Sequence, residues 1–139
     1  DDRLAPDSAA TDWRGTETIL VVEDEALILA VTAGMLERSG YRVLAACSPE
    51  EALALVRDGD ERIDLLLSDV IMPGMTGPTL AELVRASCPD LQVIYTSGYT
   101  ANVIAHRGVV DPGVNFLPKP VTRRQVSEKV RRVLDGLEA

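Results

Sequence analysis

The chain has 139 residues, enough for a single domain that buries roughly two-thirds of its unfolded surface without disulfides. Its formal charge of −8 argues against a nucleic-acid-binding surface, which needs clustered cations. No apolar run approaches the roughly 20 residues of a membrane span, and the first residues lack the basic and apolar regions of a signal peptide.

Residues 1–17 are rich in Asp, Ala, Pro and Ser and show no periodicity, so they read as a disordered or loosely packed linker ahead of a domain at 18–137. Trp13 is the one large aromatic there, either exposed or pinning the tail to the domain. A start at Asp1 rather than Met is expected of a piece cut from a longer chain. From Thr18 onward, short aliphatic runs alternate with helical periodicity, the pattern of βα units and a parallel sheet. Strands are expected at Ile19–Val22, Arg42–Ala45, Asp64–Leu67, Gln92–Tyr95 and Val114–Leu117. Runs such as Leu65, Leu66 and Leu67 imply strands covered on both faces.

The first helix, Glu25–Ser39, is expected to bury Leu27, Ile28, Val31 and Met35 and to stop at Gly40. Ser48, Pro49, Glu50 and Glu51 form a capping-box pattern that opens the second, with Leu53 and Val56 inward. Cys47 and Cys88, in no CxxC or metal spacing, read as small, partly buried thiols of a reducing compartment. Pro78 starts the third helix, with Leu80, Leu83 and Val84 as its stripe. The segment Thr100–Arg107 is short and weakly amphipathic, so the fourth helix is expected to be short or irregular, and Asp111, Pro112 and Gly113 then impose a turn. Thr122 and Gln125 cap the last helix, which aligns Val126, Val130, Val133, Leu134 and Leu137. This order predicts an α/β fold, a single doubly wound five-stranded parallel sheet of strand order 2-1-3-4-5, with ligands at the carboxyl ends of the strands.

Polar clusters occupy those ends: Glu23 and Asp24 after the first strand, Asp69 after the third, Thr96 after the fourth and Lys119 after the fifth. Singly, such residues are common in solvated turns and caps. At four strand ends in register they form a site. Two unit charges about 4 to 5 Å apart repel by roughly 3 to 4 kcal/mol at an effective dielectric near 20, so gathered carboxylates need a cation. Oxygen-only donors favour a hard ion such as Mg²⁺, with Asp24 and Asp69 as direct ligands and Glu23 acting through water. Asp69 is placed to attack phosphorus, Lys119 to neutralise a phosphoryl oxygen and Thr96 to hydrogen-bond another.

The segments ILVVEDE, LLLSDVIMPGMTG, VIYTSGY and FLPKPV fall in the order of the receiver domains of two-component signalling systems, which residues 18–137 resemble. The resemblance implies a flavodoxin-like fold in which Asp69 accepts a phosphoryl group from a phosphohistidine, carried by a histidine kinase or a histidine phosphotransfer protein. It also implies Mg²⁺, or Mn²⁺, on Glu23, Asp24, Asp69 and the Ile71 backbone carbonyl. Thr96 and Lys119 would contact the phosphoryl, Thr96 and Phe116 would act as the switch pair, and Lys119–Pro120 would be a cis peptide. Gly74 and Gly77 fit the family's loop after the acceptor. Glu23 replaces the commoner Asp, while Ile71 and Gly98 place no polar side chain beside the phosphate. The RGVVDPGVNF stretch resembles receivers attached to hybrid sensor histidine kinases, and the preceding polar linker and an end just past the final helix fit the C-terminal receiver of such a kinase, expected in the cytoplasm even where the parent chain is membrane-anchored.

Such a module is a self-phosphorylating acceptor with slow dephosphorylation rather than a conventional enzyme, and its oligomeric state is left open. An alternative is a degenerate receiver that only binds proteins, although every required position is filled. A flavin carrier would place phosphate against Glu23, Asp24 and Glu25, which repel it. An aspartate-based phosphatase would need an acid/base Asp two residues beyond Asp69, where Ile71 stands. His106, the sole histidine, reads as a surface residue, and the basic run Arg123, Arg124, Lys129, Arg131 and Arg132 as a solvated face or a dock for an acidic partner.

Overall fold

Aliphatic residues alternate across each strand, and this alternation divides the core in two. The computed structural model describes residues 13–59, 62–97 and 115–136. Along the chain lie β1 (Thr18–Val22), α1 (Ala26–Arg38), β2 (Arg42–Ala46), α2 (Pro49–Asp58), β3 (Leu65–Asp69), β4 (Ile71–Met72), β5 (Met75–Thr76), α3 (Gly77–Arg85), β6 (Gln92–Ser97), β7 (Phe116–Pro118) and α4 (Arg123–Leu134). Five strands form one parallel sheet in the order β2-β1-β3-β6-β7, which is the expected 2-1-3-4-5 order. The flavodoxin-like fold is therefore as expected.

Ile19, Val21, Leu65, Leu67 and Ile94 pack with Leu36 of α1 and with Val126, Val130 and Val133 of α4. Leu20, Val22, Leu66, Val93 and Tyr95 pack with Ala52 of α2 and with Leu80, Ala81 and Val84 of α3. Successive strand residues point to opposite faces, so odd and even positions of β1 and β3 feed separate layers. Fully burying such a side chain contributes about 1.5–3 kcal/mol, so both layers bind their helices firmly.

Caps place the helices. Ser48 Oγ accepts from the Glu51 amide at the start of α2. Glu51 does not complete the box but reaches one residue further back, accepting from the Cys47 amide at 2.8 Å. Thr122 and Gln125 form a complete capping box on α4. Thr76 caps α3, which begins at Gly77 rather than Pro78.

The inward face of α1 differs from the expected stripe. Thr32 and Leu36 are buried, whereas Leu27 is 79% and Val31 48% exposed. In α3, Leu83 is exposed and Ala81 takes the inward position beside Leu80 and Val84. Cys47 is exposed rather than partly buried, while Cys88 is half-buried. Among the described residues no helix is long and apolar enough to cross a membrane. The expected weak helix at 100–107, the turn at 111–113, Gly98, His106 and Leu137 lie outside the described residues.

Candidate functional site

Parity carries the site residues to one face of the sheet's carboxyl edge. Glu23 continues the odd series of Ile19 and Val21, Asp69 that of Leu65 and Leu67, and Thr96 follows Ile94 by two. All three therefore turn toward the α1 and α4 layer at the end of the sheet. The Glu23 amide extends the ladder by donating to the Ala46 carbonyl at 3.1 Å, which orders the chain one residue past β1. Asp69 and Thr96 are direct neighbours in the β3–β6 register. The Lys119 amide donates to the Ser97 carbonyl at 2.8 Å and continues the β6–β7 pairing to the edge of the crevice, where Lys119–Pro120 is cis, as expected.

From that edge the Lys119 ammonium reaches back into the crevice. Its Nζ lies 2.6 Å from Glu23 Oε1 and 3.1 Å from Asp69 Oδ2. Glu23 Oε2 accepts from the Glu25 amide at 3.0 Å, so this carboxylate also satisfies a backbone donor at the start of α1. Glu23 is 4% exposed, Asp69 8% and Thr96 8%. Asp24 is exposed at the mouth. Oxygens of Glu23, Asp24 and Asp69 lie within 4.8 Å of one another.

The loop after Asp69 is closed by backbone contacts. The Val70 amide donates to the Thr96 carbonyl at 3.0 Å and the Gly77 amide to the Val70 carbonyl at 2.8 Å. Between them β4 and β5 form a small hairpin pairing Ile71 with Thr76, and Gly74 supplies its left-handed residue with φ +86°. A Cβ on Gly77 would stand 2.6 Å from the Asp69 carbonyl oxygen and 3.1 Å from the Tyr95 ring. Glycine is therefore required for α3 to start this close to the strand end. Ile71 sits on the hairpin and is 46% exposed, and Phe116 is half-buried against the α2 and α3 layer beside Tyr95.

Burial pushes the Asp69 carboxyl above the ordinary Asp value, with the Asp24 charge adding to the rise and the Lys119 ammonium opposing it. Glu23 is likewise raised by burial against the pull of Lys119. For Lys119, burial lowers the value, but the bonds to Glu23 and Asp69 outweigh it and hold the ammonium above its ordinary range. A single ion pair would lower its carboxylates. Here two carboxylates share one ammonium with a third, Asp24, beside them, so desolvation and mutual repulsion prevail. The donor set is all oxygen, crowded and short of positive charge, and it fits a hard divalent cation.

Sequence reasoning does not find the groove beside the site, a cavity of about 440 Å³ bordered by Leu27, Val31, Thr96, Lys119 and Pro120. Its helix is apolar on nearly every side, so periodicity carries no sign of which residues remain outside.

A family model described as the response regulator receiver domain matches residues 19–131. Sensor kinase CckA of Brucella abortus (strain 2308) is 37% identical over 126 residues, which are 91% of this chain and 13% of that protein. The crystal structure of the receiver domain of a hybrid histidine kinase CckA superposes with a TM-score of 0.70 and 41% identity, covering 84% of this chain and 98% of that one. A response regulator from Burkholderia pseudomallei, solved with a phosphorylated aspartic acid, a calcium ion and citrate, is 28% identical with a TM-score of 0.67, covering 85% of this chain and 66% of that one.

Proposed function

The chain belongs to the response regulator receiver domain family of two-component systems, and we propose that it accepts a phosphoryl group on Asp69 from a phosphohistidine, in a Mg²⁺-dependent reaction, and switches conformation in response. The observation that carries this reading is Asp69 itself. It is a buried carboxylate with its pKa raised, at a strand end, 3.1 Å from an ammonium and beside a threonine in register. The Burkholderia relative with a phosphorylated aspartic acid supports the same chemistry.

In the transfer, an Asp69 carboxylate oxygen attacks phosphorus, the N–P bond of the phosphohistidine breaks, and its electron pair stays on the imidazole nitrogen. Lys119 pairs with one phosphoryl oxygen and the Thr96 hydroxyl donates to another, so charge is met by groups already in place. Asp24 and Asp69, the Ile71 carbonyl and, through water, Glu23 would hold Mg²⁺ or Mn²⁺, which when bound neutralises phosphoryl oxygens. Thr96 then moves toward the phosphoryl and Phe116 turns inward, a population shift driven by a local charge. Ile71 supplies no polar side chain to activate water, so the acyl phosphate is long-lived.

The donor is a histidine kinase domain or a histidine phosphotransfer protein. Its imidazole must come over the mouth of the crevice, where Leu27, Val31 and Pro120 offer an apolar rim beside Lys119. The likeness to the Brucella sensor kinase and to the receiver domain of a hybrid histidine kinase supports a place within such a kinase.

Intact-mass measurement after incubation with acetyl phosphate and Mg²⁺ tests the reading. A hydroxylamine-labile gain of one phosphoryl mass is expected, absent from Asp69→Ala. No gain with acetyl phosphate or with a phosphohistidine protein would leave a domain that only binds partners.

A further inference from the structure

The end of the sheet away from Asp69 carries contacts that phosphoryl chemistry does not use. Residues 13–17 run against the junction of α1 and β2 and against α4. The Gly15 amide donates to the Ser39 carbonyl at 3.1 Å, and the Arg42 amide to the Glu17 carbonyl at 3.1 Å. Arg131 of α4 closes over them. Its Nη1 and Nη2 donate to the two Glu17 carboxylate oxygens at 3.0 and 2.7 Å, and Nη1 also donates to the Arg14 carbonyl at 3.2 Å. Nε and Nη2 donate to Asp135 at 3.1 and 2.8 Å, and the Tyr41 hydroxyl accepts from Nη1 at 3.4 Å. The whole guanidinium fork is thus committed, and a lysine offers no equivalent geometry.

Two glycines make the approach possible. A Cβ on Gly15 would overlap the Arg131 guanidinium and the Tyr41 ring, and Gly40, at φ +99°, lies under the Gly15 carbonyl with no room for a Cβ. Trp13 is half-buried, and its indole N–H is shielded from solvent with no acceptor among the described residues. The hydrogen bonds of its neighbours Arg14, Gly15 and Glu17 order the chain beside it. Arg131 is the residue that joins most of them. Arg132 is also taken up within the chain, 3.4 Å from Glu128, so the basic run on α4 serves intrachain pairs at Arg131 and Arg132.

We propose that residues 13–17 are a strap belonging to the domain, locked by Arg131. It fixes the point at which the chain enters the fold at the end of the sheet opposite Asp69. Five residues of β1 separate the strap from the acidic crevice, about 16 Å of strand. A module attached upstream is then held at the α1 and α4 end, and the crevice stays open to a phosphodonor. The surface made by Ser39, Gly40, Tyr41 and Arg131 fits an extended segment whose closest residue is glycine.

Trp13 is the only tryptophan, so its fluorescence in the full chain reports the strap alone. Acrylamide quenching of the wild type is expected to be severalfold weaker than that of N-acetyltryptophanamide. Arg131→Ala should raise quenching toward the free indole and shift emission to the red, Arg131→Lys should do so in part, and labelling of Asp69 should not change. If Arg131→Ala does not fold, as judged by circular dichroism, Glu17→Gln and Gly15→Val must release Trp13 in the same way. Wild-type quenching equal to that of the free indole, or variants that leave Trp13 as protected as before, would overturn the strap. Failure of wild-type Asp69 to take phosphate would weigh against the acceptor reading and leave the strap result standing.

Discussion

The two ends of the sheet contain the same ingredients and arrange them to opposite effect. At the amino end Arg131 meets Glu17 and Asp135, and the bond to Arg131 lowers the Glu17 carboxyl below its ordinary value. At the carboxyl end Lys119 meets Glu23 and Asp69 with Asp24 nearby, and burial raises both paired carboxyls. A bidentate fork facing a half-exposed carboxylate satisfies its charges, so that end acts as a clasp. A single ammonium among buried carboxylates does not, so the other end retains a demand for positive charge. Functional sites are where such perturbed groups gather.

The largest effect should come from breaking the unbalanced end. Lys119→Ala is expected to lower the rate of Asp69 phosphorylation by about 10²–10³-fold, the scale of losing one charge-stabilising donor, when followed by intact mass against time. Arg131→Ala should leave that rate unchanged.

Stability reverses the ranking. Arg131→Ala removes charged hydrogen bonds from the clasp and should destabilise the domain by about 1.5–3 kcal/mol in urea melts. Asp69→Asn should instead stabilise it by about 1 kcal/mol at neutral pH, because it removes a carboxylate whose charge burial disfavours.

Acid separates the ends further. Glu17 has a lowered folded pKa, so its contribution is present above the unfolded value and is lost as pH falls through the folded one. Asp69 and Glu23 have raised folded pKa values, so the native state binds their protons more tightly and is relieved as pH falls through those values. Carboxyl carbon NMR titration should find Glu17 below, and Asp69 and Glu23 above, their ordinary midpoints. A common midpoint would erase the contrast.

The smallest expected change in stability sharpens the partner reading. Leu27→Ala should alter stability by no more than about 0.5 kcal/mol, since the side chain is exposed, and should not affect labelling by acetyl phosphate. Transfer from a phosphohistidine protein should slow. Equal slowing with both donors would place Leu27 within the chemistry rather than at the docking rim.

How much of this was legible beforehand follows from how one-sided each segment is. In α4, valines at 126, 130 and 133 stand among charged residues and between clear caps, so stripe and start were both readable. In α1 the run ALILAVTAGML is apolar on nearly all sides, so the periodicity could not show that Thr32 faces in and Leu27 out. The site residues were legible because each follows an apolar run, and strand parity then carries Glu23, Asp69 and Thr96 to one face. The hairpin pairing Ile71 with Thr76 is too short to leave a pattern. The clasp joins residues 114 apart in sequence, from a segment with no periodicity, and only the folded chain brings Glu17 to Arg131.

The most direct test of the account is to trap the acyl phosphate. After phosphorylation, borohydride reduction converts an aspartyl phosphate to homoserine, and peptide sequencing by mass spectrometry locates it. The expected result is homoserine at position 69 and nowhere else, dependent on Mg²⁺. Homoserine at position 24, or a phosphoryl group that resists hydroxylamine and leaves position 69 unreduced, would contradict it.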